Sequence, residues 1–289
     1  MVLYTSVLGG VGMSLAASNW ILIWVGFEIS SICFVVLLSC SSSCTEIYSA
    51  FTYFLFQEIG SYLVLIGALL DLNILVTSGL FVKMGAAPFH MWVPMVVDEV
   101  TWFNCFLVLV VLKMVPLLLL TSRFEGLLVC GVVSVLWGAF GIVGQVAIRR
   151  VLAFSSINQT GWMLLVILYC PGYLGFFYGV YFFIMLGLIL FFSYPEGKVR
   201  FWGLCFLVGL GGFPPTVGFM LKWSVVGGLV QGQVSGLAFM VTILSVLSLF
   251  AYISLGYKIL MVNKVMGQSY SLFFVVGVFM VPLVYSVLS

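Results

Sequence analysis

Long apolar runs separated by short polar breaks set the pattern of this chain. A helix needs about 20 residues to cross the hydrocarbon core of a bilayer. Cutting the runs at their polar breaks predicts eleven spans, at 2–17, 20–39, 48–70, 73–95, 100–121, 126–144, 152–170, 172–193, 199–229, 234–262 and 270–288. The first is short for a crossing, and 199–229 and 234–262 overrun the bilayer and must tilt, break or emerge. No Pro/Ser linker and no polar block divides the runs. The pattern therefore predicts a single all-α polytopic membrane domain over 1–289.

Composition agrees. Hydrophobic residues make up 64% of the 289, charged residues 6%, and mean hydropathy is +1.32. A soluble domain carries about 25% charged residues, so this chain cannot build a solvated surface. Net charge is only +2 and no basic run exists, which argues against nucleic acid as a partner. One histidine and seven cysteines without a CxxC pair predict no metal or iron–sulfur site. The cysteines read as small core residues, with a Cys40–Cys44 disulfide possible but unsupported. The opening "MVLYTSVLGG" shows neither a basic leader nor an Arg-rich transit pattern, so the first run reads as a retained helix. No GxGxxG or P-loop is present, so no nucleotide site is expected.

Loop charges give direction. With eleven spans the termini lie on opposite sides. Arg149, Arg150, Lys198, Arg200, Lys258 and Lys264 fall on the N-terminal side, and only Arg123 on the other. Basic loops stay on the cytoplasmic face, the matrix in a mitochondrion, so the N-terminus is expected there.

A few charges fall inside the spans: Glu28, Glu58, Lys83, Lys113 and Lys222. Each costs about 2.5–3.5 kcal/mol at a helix centre on insertion scales. Snorkelling cannot serve Lys83, which has roughly ten span residues on either side. Burial disfavours the charged form of an amine and a nearby carboxylate favours it, so a buried lysine with an acidic neighbour can load and release a proton. The bland reading of the same residues is a buried ion pair that only locks the bundle.

Two spans also carry helix breakers beside a lysine. They are "KMGAAPFHMWVP", residues 83–94, and "GLGGFPPTVGFMLKW", residues 209–223. Proline removes a backbone donor, and the carbonyls freed inside a membrane need protein or a water-filled cavity as partner. Pro88 is thus expected to let water reach Lys83. The broken spans are the fourth and the ninth. That separation suits two inverted five-helix repeats, over 1–121 and 126–262, with a C-terminal helix at 270–289.

These two motifs, with "IRRVLAFSSINQTGWM" (148–163), "WVGFEIS" (24–30) and "TYFLFQEIGS" (52–61), resemble the subunit 2 family of mitochondrial complex I, in the same order over most of the chain. The resemblance implies an antiporter-like fold lacking the three N-terminal helices of bacterial relatives. It implies a core membrane-arm subunit of NADH:ubiquinone reductase in the mitochondrial inner membrane, translocating protons as NADH is oxidised and ubiquinone reduced. Glu28 matches the glutamate that partners the key lysine, Lys83 the lysine of the first broken helix, Lys113 the central connecting lysine and Lys222 the lysine of the second broken helix. FMN, iron–sulfur clusters and ubiquinone would belong to other subunits, and no cofactor to this chain. Partners would be neighbouring antiporter-like and small membrane subunits, and lipid.

The chain departs from the family pattern in places. Met95 stands where a glutamate is usual and Thr52 where a lysine is usual, while Glu58 is an added acid. Glu58 reads either as a second partner for Lys83 or as a carboxyl kept neutral by burial. His90 reads either as a proton relay or as a structural group that caps freed carbonyls or faces the interface. Asp98 and Glu99 suit an interfacial role, and Arg149 and Arg150 suit topology. The aromatics of "YLGFFYGVYFFIM" (173–185) are expected to face lipid or neighbouring subunits, with a quinone pocket as the other reading. A free-standing cation/proton antiporter and a non-pumping scaffold are the competing functions.

Overall fold

The computed structural model describes residues 2–40, 44–122, 126–193, 197–214 and 216–262. The span expected at 270–288, the loop charges Arg123 and Lys264, and Pro215 lie outside the described residues, as do the side chains of Lys198 and Arg200. Among the described residues every regular element is helical.

The helices are α1 (Val2–Ala16), α2 (Trp20–Ser39), α3 (Cys44–Leu69), α4 (Asn73–Met84), α5 (Trp92–Glu99), α6 (Trp102–Leu109), α7 (Met114–Leu119), α8 (Leu127–Ile142), α9 (Ile148–Tyr169), α10 (Leu174–Ser193), α11 (Gly197–Gly211), α12 (Val217–Gln231) and α13 (Ser235–Val262). Among the described residues six apolar stretches are long enough to cross a bilayer: α2, α3, Trp102–Ser122, α9, Pro171–Ser193 and Ser235–Lys258. α4 with α5, and α11 with α12, are pairs of shorter helices joined by the two breaks expected from glycine and proline. A third interruption, inside Trp102–Ser122, was not expected: α6 stops at Leu109 and a 3₁₀ turn, Val111–Lys113, precedes α7.

Polarity runs outward from a polar centre. On α13 the exposed positions include Phe239, Ile243, Val246 and Phe250, and on α3 they include Phe51, Leu55, Ile59 and Tyr62. Such an apolar outer face suits lipid rather than water. α9 is the buried centre. It carries Ser155, Ser156, Asn158, Gln159 and Thr160 at 5% exposure or less, an arrangement that only a helix surrounded by protein can tolerate in a membrane.

Lipid tails give no hydrophobic drive for one helix to leave lipid for another, so close contact comes from small residues. Three crossings use glycine. A Cβ added at Gly26 would meet the Gly10 carbonyl oxygen at 2.8 Å; one at Gly79 would meet that of Gly60 at 2.7 Å; one at Gly161 would meet that of Gly131 at 2.8 Å. At one end of the bundle Arg150 pairs with Asp98, and Arg149 donates 3.0 Å to the Asp98 carbonyl. Asp98 therefore ties the end of α5 to the start of α9.

The α1–α2 pair gives a contrast between two glycines, one on each helix. Gly26→Val would force backbone apart and cost about 1–3 kcal/mol by over-packing, whereas Gly9→Val meets nothing within 4 Å. Thermal melting of the isolated assembly should show a lower midpoint for the first variant and an unchanged one for the second.

Candidate functional site

At the first break, α4 ends because Gly85 takes a left-handed backbone, φ 66°. Pro88 follows without an N–H to continue the helix. The freed carbonyls are met by side chains. The Trp92 indole N–H donates to the Val82 carbonyl at 3.1 Å, and the Gln57 amide to the Lys83 carbonyl at 3.3 Å. The Ala87 N–H donates 2.9 Å to Ser134 Oγ on α8. Met84, Ala86 and Ala87 are fully buried. The backbone at Met84–Ala87 is thus buried in protein, while Pro88 and Phe89 just beyond it are exposed.

Lys83, in the last turn of α4, is 5% exposed. Its stem runs over Gly60, where a Cβ would meet Lys83 Cγ at 2.7 Å. A side chain at position 60 and a lysine in this place exclude each other. Lys83 Nζ lies 4.4 Å above the Phe27 ring, a cation–π contact. The charges of Glu28 and Glu58 both act on it, and the two carboxyls act on each other. Ser31 Oγ donates at 3.5 Å to Glu58 Oε1. Glu28, Glu58 and Lys83 are thus electrostatic neighbours, with no ion pair within 4.0 Å joining Lys83 to either acid among the described residues. Thr52 makes only a local bond, to the Ser49 carbonyl at 2.9 Å, and Met95 is exposed.

Lys113 closes the unexpected turn. Pro116 cannot donate to the carbonyl one turn before it, so regular helix fails upstream of the proline. Val110 leaves helical geometry at φ −119°, ψ −71°. The Tyr178 hydroxyl donates 2.9 Å to the Val110 carbonyl and the Tyr181 hydroxyl 3.2 Å to that of Leu109. Tyr178 and Tyr181 thus correct the expectation that the aromatics of 173–185 face outward: one turn apart on α10, they face the core. The turn aims Lys113 at α9, where its Nζ donates 3.1 Å to Ser156 Oγ, which donates in turn 2.7 Å to the Ala153 carbonyl.

Lys222 sits on the second half of the second break and reaches back to the first. Its Nζ donates 2.8 Å to the Gly211 carbonyl, the last of α11, and lies 5.5 Å from the Trp162 ring centre. The Gln159 amide donates 3.0 Å to the Leu210 carbonyl. No acidic side chain acts on Lys113 or Lys222 among the described residues.

The four expected residues therefore fall into one cluster, Glu28 with Lys83, and two lysines that both touch α9. His90 belongs to neither. It is 3% exposed, tilted at 33° on Trp137 with ring centres 5.4 Å apart, beside the Pro88 carbonyl, and its Nδ1 makes no hydrogen bond. Gln57, Tyr178, Tyr181, Ser156 and Gln159 carry the geometry and were not singled out in the sequence. The run of five polar residues in "SSINQT" was the available signal for the last two.

A broken-helix bundle with buried lysines at its breaks has known counterparts. A family model described as NADH:quinone oxidoreductase/Mrp antiporter, TM, matches residues 17–75 and 69–200. The NADH-ubiquinone oxidoreductase chain 2 of Gallus gallus is 30% identical, over 87% of this chain and 83% of that one. The chain belongs to the NADH-ubiquinone oxidoreductase chain 2 family. The Locusta migratoria chain 2 is 26% identical over 88% of this chain and 83% of that one. In fold, the chain superposes on a structure of respiratory complex I from Thermus thermophilus with bound aureothin, at a TM-score of 0.83 and 22% identity, covering 97% of this chain and 76% of that one. It superposes on the Mrp complex from Dietzia sp. at 0.79 and 18%, covering 88% of this chain and spanning 59% of that one.

The tyrosine pair offers a test. A buried carbonyl left without its donor costs about 1–3 kcal/mol. Tyr178→Phe with Tyr181→Phe should destabilise the assembly by that order per site, and cross-linking should show Lys113 displaced from Ser156. Phe176→Tyr with Phe183→Tyr, which adds hydroxyls only at exposed positions of α10 and keeps Tyr178 and Tyr181, should leave stability near the original.

Proposed function

We propose that this chain, a membrane-arm subunit of respiratory complex I, carries one proton-translocating module of that enzyme. NADH oxidation and ubiquinone reduction occur in partner subunits, and the energy reaches Lys83 as a change in its carboxylate neighbours. The observation that carries the reading is the grouping of Lys83 with Glu28 and Glu58, buried in a helix that stops one residue later. An intramembrane ionisable group marks an ion or proton path by default. A lysine held between two acids has the means to change protonation when either acid moves or is neutralised.

Lys113 and Lys222 extend the reading. Each is buried with a neutral oxygen as its hydrogen-bond acceptor, Ser156 Oγ and the Gly211 carbonyl. A hydroxyl can accept a proton and pass on its own, so Ser156 suits a relay; a carbonyl only holds. The proton path in this reading runs from the Glu28–Lys83 cluster through Lys113 and along α9 to Lys222. Two inverted repeats, each with a broken helix, would give the path one opening to each side. The chain sits in the mitochondrial inner membrane with its N-terminus in the matrix, which the placement of Arg149 and Arg150 at the α9 start supports. Its neighbours are other antiporter-like and small membrane subunits.

Proton uptake driven by NADH, measured on assembled enzyme in vesicles, tests this. Lys83→Ala and Glu28→Gln should each lower protons moved per NADH while assembly persists. Normal pumping by either assembled variant would sink the proposal. A scaffold role predicts something different: Lys83→Met combined with Glu28→Gln and Glu58→Gln would be tolerated, since a buried ion pair can be replaced by apolar groups at little cost.

A further inference from the structure

α9 has a second polar face. Ser155, Asn158 and Trp162 follow one another at three- and four-residue spacing and so share a stripe, about 100° around the helix from the stripe of Ser156 and Gln159. All three are at most 1% exposed, as is Tyr252 on α13. Ser155 Oγ, both amide atoms of Asn158, the Trp162 indole N–H and the Tyr252 hydroxyl make no hydrogen bond to protein.

These groups are neighbours. Tyr252 and Ser155 lie close enough to act on one another. Asn158 packs on Gly138 of α8, where a Cβ would lie 2.6 Å from the Asn158 Cα. The Tyr252 ring packs on Gly211, whose carbonyl holds Lys222, and Trp162 lies under the Lys222 ammonium. Position 138 must be glycine for α8 to come this close, so the α8 backbone covers the stripe at Asn158, and Tyr252 of α13 lies beside Ser155.

A buried polar atom without a partner costs about 1–3 kcal/mol, and several together are rare in a folded protein. Buried water is the usual remedy, and one molecule needs two to four polar partners. We propose that Ser155, Asn158, Trp162 and Tyr252 form an enclosed water-binding site on the α13 side of the Lys222 break. Asn158 offers a water both a donor and an acceptor. Tyr252 and Ser155 offer hydroxyls that serve either way, and Trp162 offers a donor. No charged side chain belongs to the site, so it takes water rather than an ion. Through Trp162 and Gly211 the site borders Lys222, and it gives that lysine hydrogen-bonding surroundings that the protein alone does not supply. That last role rests on the proton-translocation reading; the binding of water does not.

Electron cryo-microscopy of the intact complex, at a resolution that shows ordered water, is the test. Density within about 2.7–3.2 Å of the Asn158 amide and the Tyr252 hydroxyl, lost in Asn158→Leu, supports the site. The same side chains bonded to one another with no density between them would overturn it. Should Asn158→Leu fail to assemble, Tyr252→Phe keeps the volume and removes one hydroxyl, and the density must weaken there. Water density needs no pumping assay, so a failure of the Lys83 variants to lower proton uptake would reject the pumping reading and leave this result standing.

Discussion

A backbone carbonyl inside a bilayer has no water to turn to. That constraint organises this protein. Helices avoid the problem along their length, and the chain stops being helical at three places within its spans. At each place a side chain from another helix, or from beyond the break, meets the freed carbonyls: Trp92 and Gln57 at Val82 and Lys83, Tyr178 and Tyr181 at Val110 and Leu109, Lys222 and Gln159 at Gly211 and Leu210. Each break also lies within a turn of a buried lysine or is bonded by one. The breaks are therefore where the fold already keeps polar groups at mid-membrane, and a lysine added there is less costly than in unbroken helix.

The same constraint explains what could be read in the sequence. Apolar runs and their polar ends set the spans, because a crossing needs a fixed length. Gly85–Pro88 and the Gly/Pro run at 211–214 announced two breaks, since these residues disrupt helix locally. The third break was hidden for a physical reason. Pro116 exerts its effect a turn upstream, and the apolar run around it holds Lys113 but no glycine to mark the break. Tyr178 and Tyr181 were read as outward-facing because an aromatic-rich run has no polar face to mark its inner side. Their partners are carbonyls 68 and 72 residues away, and backbone groups leave no trace in a sequence. Spacing could have hinted at it: two hydroxyl-bearing residues three apart share a helix face.

Charge was legible, but grouping was not. Glu28, Lys83, Lys113 and Lys222 stood out as ionisable residues in lipid-length runs. That Glu58 acts on Lys83, while His90 sits apart on Trp137, depends on how α2, α3 and α4 rotate against one another. Gly60 fixes that rotation. It lets α4 come close enough for the Lys83 stem to cross α3, which carries Glu58 two residues earlier. The glycine is uninformative in isolation and decisive once the neighbouring helix is known.

The two breaks that the sequence announced hold their lysines in opposite ways. Lys83 precedes its break and faces two carboxylates and an aromatic ring; Lys222 follows its break and grips the carbonyl end of the preceding helix. A lysine between carboxylates responds to any change in their charge, because charge–charge coupling in a low-dielectric interior is strong. A lysine on a carbonyl responds to movement of that carbonyl, because a hydrogen bond depends steeply on distance and angle. The proposed pumping role draws on this difference, with charge acting at the first site and geometry at the second. A module that must receive an electrical signal at one end and gate a path at the other needs both kinds, and α9, touching Lys113 at Ser156 and Lys222 at Trp162, is the element that lies between them.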